Sequence, residues 1–96
     1  MKNKILSTLV AGLLLIGIGS SSIVSAATIY TDGGTWNYGV GSKYVWSYYS
    51  HNYRYHSSTV YGKLKISSGL TRPGVRAQAS SEKRWWWVNE AYYNVY

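Results

Sequence analysis

The chain has 96 residues, no cysteine, five tryptophans, eleven tyrosines and a formal net charge of +7. That is enough for one small domain, and it rules out disulfide staples and cysteine-ligated metal sites. The basic balance points toward anionic partners and says nothing yet of which ones.

The chain opens with Lys2 and Lys4, followed by an apolar run from Ile5 to Ile18 and then the small residues GSSSIVSAA. A short positive segment, an apolar stretch too brief to span a bilayer and a small-residue cleavage site together make a secretory signal peptide. Val24-Ser25-Ala26 fits the small-residue rule, so cleavage is expected after Ala26, with Ala27 the near alternative. Taking 26 from 96 residues leaves a secreted chain of 70. Removing Lys2 and Lys4 from the ten basic residues leaves eight against three acidic ones. All the tryptophans and tyrosines lie in this part. A domain of that size buries only about 60% of its unfolded surface. Aromatic density is its available substitute for disulfides, since each ring covers about 150–250 Å².

Residues 27–34, with the turn signal DGG, are expected to be a flexible N-terminus. From Thr35 onward Tyr, Trp, Val and Thr dominate, and no window of helical length shows a 3.6-residue period. Residues 35–96 are therefore predicted to form an all-β domain, a small antiparallel β-sandwich of about six short strands. These are Thr35–Val40, Lys43–Tyr49, Ser57–Ile66, a fourth strand with Val75, Ala77 and Ala79 on one face, Arg84–Val88 and Ala91–Tyr96. SHN, SSGLTRPG and SSEK are read as turns or loops, and the last two strands as a hairpin around Asn89-Glu90. On a strand, Trp85 and Trp87 would face one way and Trp86 the other. The rings cannot all enter one core, so some must lie outside it.

His51 and His56 do not have a recognised zinc spacing, and further ligands are missing. They read as polar loop or strand-end residues. No nucleophile-elbow motif is present, and Glu82 and Glu90 read as ordinary turn residues. No enzyme activity, cofactor or metal is expected. Arg54 between Tyr53 and Tyr55 would suit base stacking, but secretion makes nucleic acid an unsuitable partner. The glycine-punctuated β pattern disfavours an amphipathic membrane helix.

Several stretches, in order, carry a resemblance: GGTWNYGVGSKY, YSHNYRYHSSTVYG, RPGVRAQAS and AYYNVY. The strongest are Gly34-Thr35-Trp36 with Tyr38-Gly39, His56-Ser57 with Thr59-Val60, Arg72 with Gly74-Val75 and Ala77, and Tyr92-Tyr93-Asn94. Over most of 33–96 they resemble the lactococcin 972 family of secreted bacteriocins. The resemblance implies an unmodified antibacterial β-sandwich, a homodimer, and binding of the wall precursor lipid II that blocks septum formation in Gram-positive cells without pores. It also implies a separate immunity transporter in the producer. The tryptophan triplet Trp85–Trp87 and the aromatic stretch YVWSYYSHNYRY depart from the founder's pattern.

The expected mechanism is sequestration of lipid II or another bacterial envelope component. Arg72, Arg76 and Arg84 are the candidates for phosphate contacts, because the planar guanidinium matches phosphate oxygens. Trp36, Trp86 and Tyr92 are the candidates for sugar or membrane-interface contacts. The alternatives are an envelope-associated carbohydrate-binding or adhesive module, and a membrane permeabiliser.

Overall fold

The computed structural model describes residues 25–96 in full and residues 9–15 by their backbone; the rest of the expected signal peptide, residues 1–8 and 16–24, lies outside the described residues. Seven strands run from Ser25 to Val95: β2 (Ser25–Thr31), β3 (Gly34–Val40), β4 (Tyr44–Ser50), β5 (His56–Tyr61), β6 (Lys65–Ser67), β7 (Ala77–Glu82) and β8 (Asn89–Val95). An earlier segment, Leu9–Leu15, forms β1. The fold is all-β. Its strands make two antiparallel sheets, with no helix among the described residues. Sheet I has the order β1-β8-β5-β6 and sheet II the order β2-β3-β4-β7.

Residues 27–34, read as flexible from the sequence, are mostly strand. β2 pairs with β3 from Ser25↔Val40 to Thr31↔Gly34. The DGG signal is the turn between them, with positive φ at both Asp32 and Gly33. That is the two-residue hairpin geometry whose twist matches the flanking strands. Thr28, Ile29, Tyr30 and Thr31 suit a strand, and β3 offers them an unpaired edge.

Three further boundaries differ from the sequence reading. The expected strand Ser57–Ile66 is a hairpin, β5 and β6, folded where the Gly62 N–H donates to the Leu64 carbonyl at 3.1 Å. The apolar alternation of the sequence carries on across this turn, but the reversal takes Leu64 off the inward face of Val60 and into solvent. β7 continues through SSE to Glu82, because β4 offers pairing partners as far as Tyr44↔Glu82. Arg84–Val88 is not a strand but a loop, and β8 pairs with β5 instead of closing a hairpin with it.

The core lies between the sheets. Trp36, Val40, Val45, Tyr49 and Ala79 enter it from sheet II, and Val60, Ala91 and Tyr93 from sheet I. Tyr49 stacks on Tyr93 with centroids 4.4 Å apart, and Trp36 packs against Tyr93 at 4.9 Å. Each buried ring has a bonded polar tip, as burial requires. Trp36 Nε1 donates to Ser47 Oγ at 2.8 Å, which donates to the Tyr92 carbonyl at 2.7 Å. Tyr49 donates to the Thr31 carbonyl at 2.8 Å, and Tyr93 donates to the Asp32 carboxylate. These bonds tie β2 and its turn to the two central strands.

Candidate functional site

Alternation along β5 and β8 sends His56, Ser58, Val60, Ala91 and Tyr93 inward and leaves Ser57, Thr59, Tyr61, Tyr92 and Asn94 on the outer face of sheet I. With Lys65 and Ser67 of β6 they line a groove of about 310 Å³. Tyr61 and Tyr92 meet edge to face at 5.6 Å, and the Lys65 ammonium lies 5.4 Å from the Tyr61 ring centroid. Ser57, Thr59 and Asn94 supply polar groups along the floor. Among the described residues, Asn94 Oδ1 is buried without a hydrogen-bond partner. Tyr92 donates to Glu90, and this bond, helped by burial, pushes its hydroxyl pKa up to about 12. Beyond Tyr96 the groove meets an apolar cleft of about 520 Å³ lined by Tyr55, Leu70 and Tyr96. Arg54 Nε donates to the Tyr96 carbonyl at 2.8 Å and holds that rim. Aromatic walls, a polar floor, one cation and an apolar end together suit an amphiphile with a glycan head.

The outer face of sheet II carries a second aromatic row, Tyr44, Trp46 and Tyr48 along β4. The Trp46 indole lies across Gly39, where a Cβ would stand 2.5 Å from its Cζ2. Its N–H donates to Asn37 Oδ1 at 2.8 Å, and Asn37 donates on to Thr28 at 2.7 Å. Arg76 sits 4.8 Å above the Tyr48 ring, and Lys43 lies 5.7 Å from the Tyr44 ring. This is a platform more than a pocket.

The sequence candidates do not converge on one place. Tyr92 lies in the sheet I groove. Arg76 is on the opposite face of the sandwich, with Tyr48. Trp36 is 3% exposed and belongs to the core, which removes it from any contact surface. Arg72 is exposed on the loop before β7, two residues past the rim residue Leu70. Arg84 is a loop clamp: its Nε donates to the Val88 carbonyl at 2.7 Å and its guanidinium reaches Glu90 at 3.5 Å. Trp86 stands on that loop, 48% exposed, with Trp85 and Trp87 at 64% and 60%. All three indoles face solvent, where strand alternation would have split them.

Sequence reasoning missed Tyr61 and Lys65 as site residues because they were placed on one continuous strand. Their shared alternate face was visible, but the fold that brings Lys65 opposite Tyr61 was not. Trp46 was missed because nothing in the sequence marks Gly39 as its cross-strand partner.

The histidines hold loops. His51 Nδ1 accepts from the Tyr53 and Arg54 amides at 3.1 and 3.0 Å, and its Nε2 contacts the Asp32 carbonyl at 3.1 Å. His56 has a carbonyl at each nitrogen, Arg54 at 2.9 Å and Val75 at 2.7 Å. Among the described residues no group of three His, Asp or Glu could hold a metal ion, and no helix is long and apolar enough to cross a membrane.

A family model described as Bacteriocin (Lactococcin_972) matches residues 32–93, more than half of the chain. No curated protein and no solved structure matches.

Proposed function

The chain belongs to the lactococcin 972 bacteriocin family, and from that premise we propose that it is secreted after removal of residues 1–26 and kills by binding lipid II. The sheet I groove is the observation that supports this reading. Tyr61 and Tyr92 offer ring faces to the precursor's sugars, and Ser57, Thr59 and Asn94 offer bonds to hydroxyls and amides. Arg72, two residues past Leu70 at the cleft, supplies positive charge to the pyrophosphate, and Lys65 stands by the sugars at the Tyr61 end. The apolar cleft at Tyr55, Leu70 and Tyr96 takes the first part of the lipid chain. Held this way, the precursor is withheld from the septum-building enzymes of related Gram-positive cells. The action is sequestration, without catalysis. Loss of the leader also takes β1 from β8 and frees that edge to pair with a second copy, a route to a homodimer.

The test is growth inhibition of related Gram-positive strains, with and without soluble lipid II. Relief by lipid II is expected, together with at least tenfold weaker inhibition by Tyr92→Ala and Lys65→Ala variants that melt normally. Inhibition unchanged by lipid II would refute the target.

A second reading, binding of wall glycan without killing, is favoured by the ordered Trp46 platform on sheet II. Retention on purified peptidoglycan that Trp46→Ala abolishes, from a protein that inhibits no strain, would select it.

A further inference from the structure

We infer that the loop from Lys83 to Val88 is a membrane-docking element that seats Trp85, Trp86 and Trp87 at the headgroup level of an anionic bilayer. These three adjacent indoles are each about half exposed or more, while Trp36 fills the core and Trp46 is pinned to sheet II. A contiguous apolar patch of this kind on a small soluble domain marks an interaction surface. The loop is also held in shape. Asn89 is fully buried; its Oδ1 accepts from the Arg84 amide at 2.8 Å and its Nδ2 donates to the Arg84 carbonyl at 3.2 Å. Arg84 then closes the loop onto the Val88 carbonyl. Fixed loop ends reduce the entropy lost when the indoles dock. Trp85 and Trp86 meet edge to face at 5.5 Å, so each supports the other on the loop.

The choice of a bilayer follows from side-chain chemistry. An indole has an apolar body and one N–H donor, the combination that settles where hydrocarbon meets headgroups. Cations stand beside the loop. The Lys83 amide donates to the Lys43 carbonyl at 2.9 Å, which brings Lys43 next to Lys83, and the Lys43 side chain is exposed. Basic side chains at this depth are drawn to anionic lipids. The loop also touches the groove's framework, since Glu90 takes both the Arg84 guanidinium and the Tyr92 hydroxyl. The docking does not rest on the lipid II reading.

The test uses protein recovered from the medium of a producing culture and vesicles of phosphatidylcholine and phosphatidylglycerol without any wall precursor. Flotation measures binding, lipids brominated at different depths quench tryptophan emission, and trapped dye reports leakage. The wild type is expected to float, with quenching strongest from the shallow label and no leakage. Each Trp→Ser change at 85, 86 or 87 is expected to weaken binding about tenfold. The triple variant is expected to lose binding while melting normally and holding soluble precursor head group as before. A wild type that ignores these vesicles would overturn the proposal. So would a triple variant that binds them equally, or one whose only change is a lost self-association. Vesicle binding that persists while precursor binding is absent would sink the lipid II reading and leave the docking element standing.

Discussion

Asn89→Ala would release the tryptophan loop without touching a tryptophan. Asn89 is fully buried, and both ends of its amide are bonded to the backbone of Arg84. Truncation leaves the Arg84 N–H and C=O without these partners. Each unmet buried group costs about 1–3 kcal/mol. The loop backbone is partly wet, which places the sum near the lower end, about 2–4 kcal/mol. For a domain of this size that lowers Tm by about 10–30 °C. It is a large fraction of the roughly 5–15 kcal/mol that holds a small domain folded. Asn89→Asp keeps an acceptor for the Arg84 amide but loses the donor and buries charge, so it should not rescue. Urea and thermal melts give the stability, and tryptophan anisotropy reports the loop, with Trp36 and Trp46 as a constant background. An Asn89→Ala protein that melts within about 2 °C of wild type, with unchanged anisotropy, would show that this clamp does not set the loop's shape.

Other expectations can be checked on the same protein. Tyr92 is pushed up to about 12 by its bond to Glu90 and then by burial, and Tyr93 and Tyr49 are raised chiefly by burial. A phenol whose folded pKa exceeds its unfolded value of about 10 adds stability that is whole below pH 10 and lost as pH climbs through the folded value. Urea midpoints should therefore fall between about pH 10 and 12, and Tyr92→Phe should flatten part of that fall; a flat profile in the wild type would contradict these environments. Gly62→Ala should cost about 2–3 kcal/mol, because the new Cβ would lie 2.4 Å from the Glu82 carbonyl oxygen; an unchanged melt would show that the β5–β6 turn yields easily. Trp36→Phe should cost about 1–2 kcal/mol through the lost bond to Ser47 and still leave antibacterial activity intact, since the indole is inside. A folded Trp36→Phe protein without activity would return Trp36 to the list of contact residues.

Alternation and turn chemistry carried most of the fold. Thr35–Val40 and Lys43–Tyr49 were readable because their polar and apolar residues switch sides with a period of two and glycine or polar turns end them. The site was less readable, because its parts come from pairings the sequence does not declare. Gly62 sits in a run whose alternation continues past it, so a hairpin looked like one strand and Lys65 lost its partner Tyr61. The triplet Trp85–Trp87 has strong strand propensity. A buried asparagine and a clamping arginine override it by closing a loop over only a few residues, and neither bond could be foreseen before Arg84 and Asn89 were placed. Arginine chemistry was the least transferable guide. Three arginines that looked alike prove to be a loop clamp, a cap on a tyrosine ring and an exposed loop residue.

The aromatic residues divide by what happens to their polar ends. Tyr49, Tyr93 and Trp36 turn their hydroxyls and N–H back onto the protein, at Thr31, Asp32 and Ser47. That lets them supply core area without an unmet polar atom, which is how a cysteine-free chain of this size gains cohesion. The anchoring groups of two of them, Thr31 and Asp32, lie after both expected cleavage positions, Ala26 and Ala27. Removal of the leader would therefore take β1 and the first residues of β2 while leaving the core rings fully bonded. The turn and the last pairs of the β2–β3 hairpin are the part the processed chain keeps. Asp32→Ala should for that reason destabilise the processed protein more than Thr28→Ala. Comparing the two melts measures whether the domain is held at the turn, and equal losses would place the anchor along β2 instead.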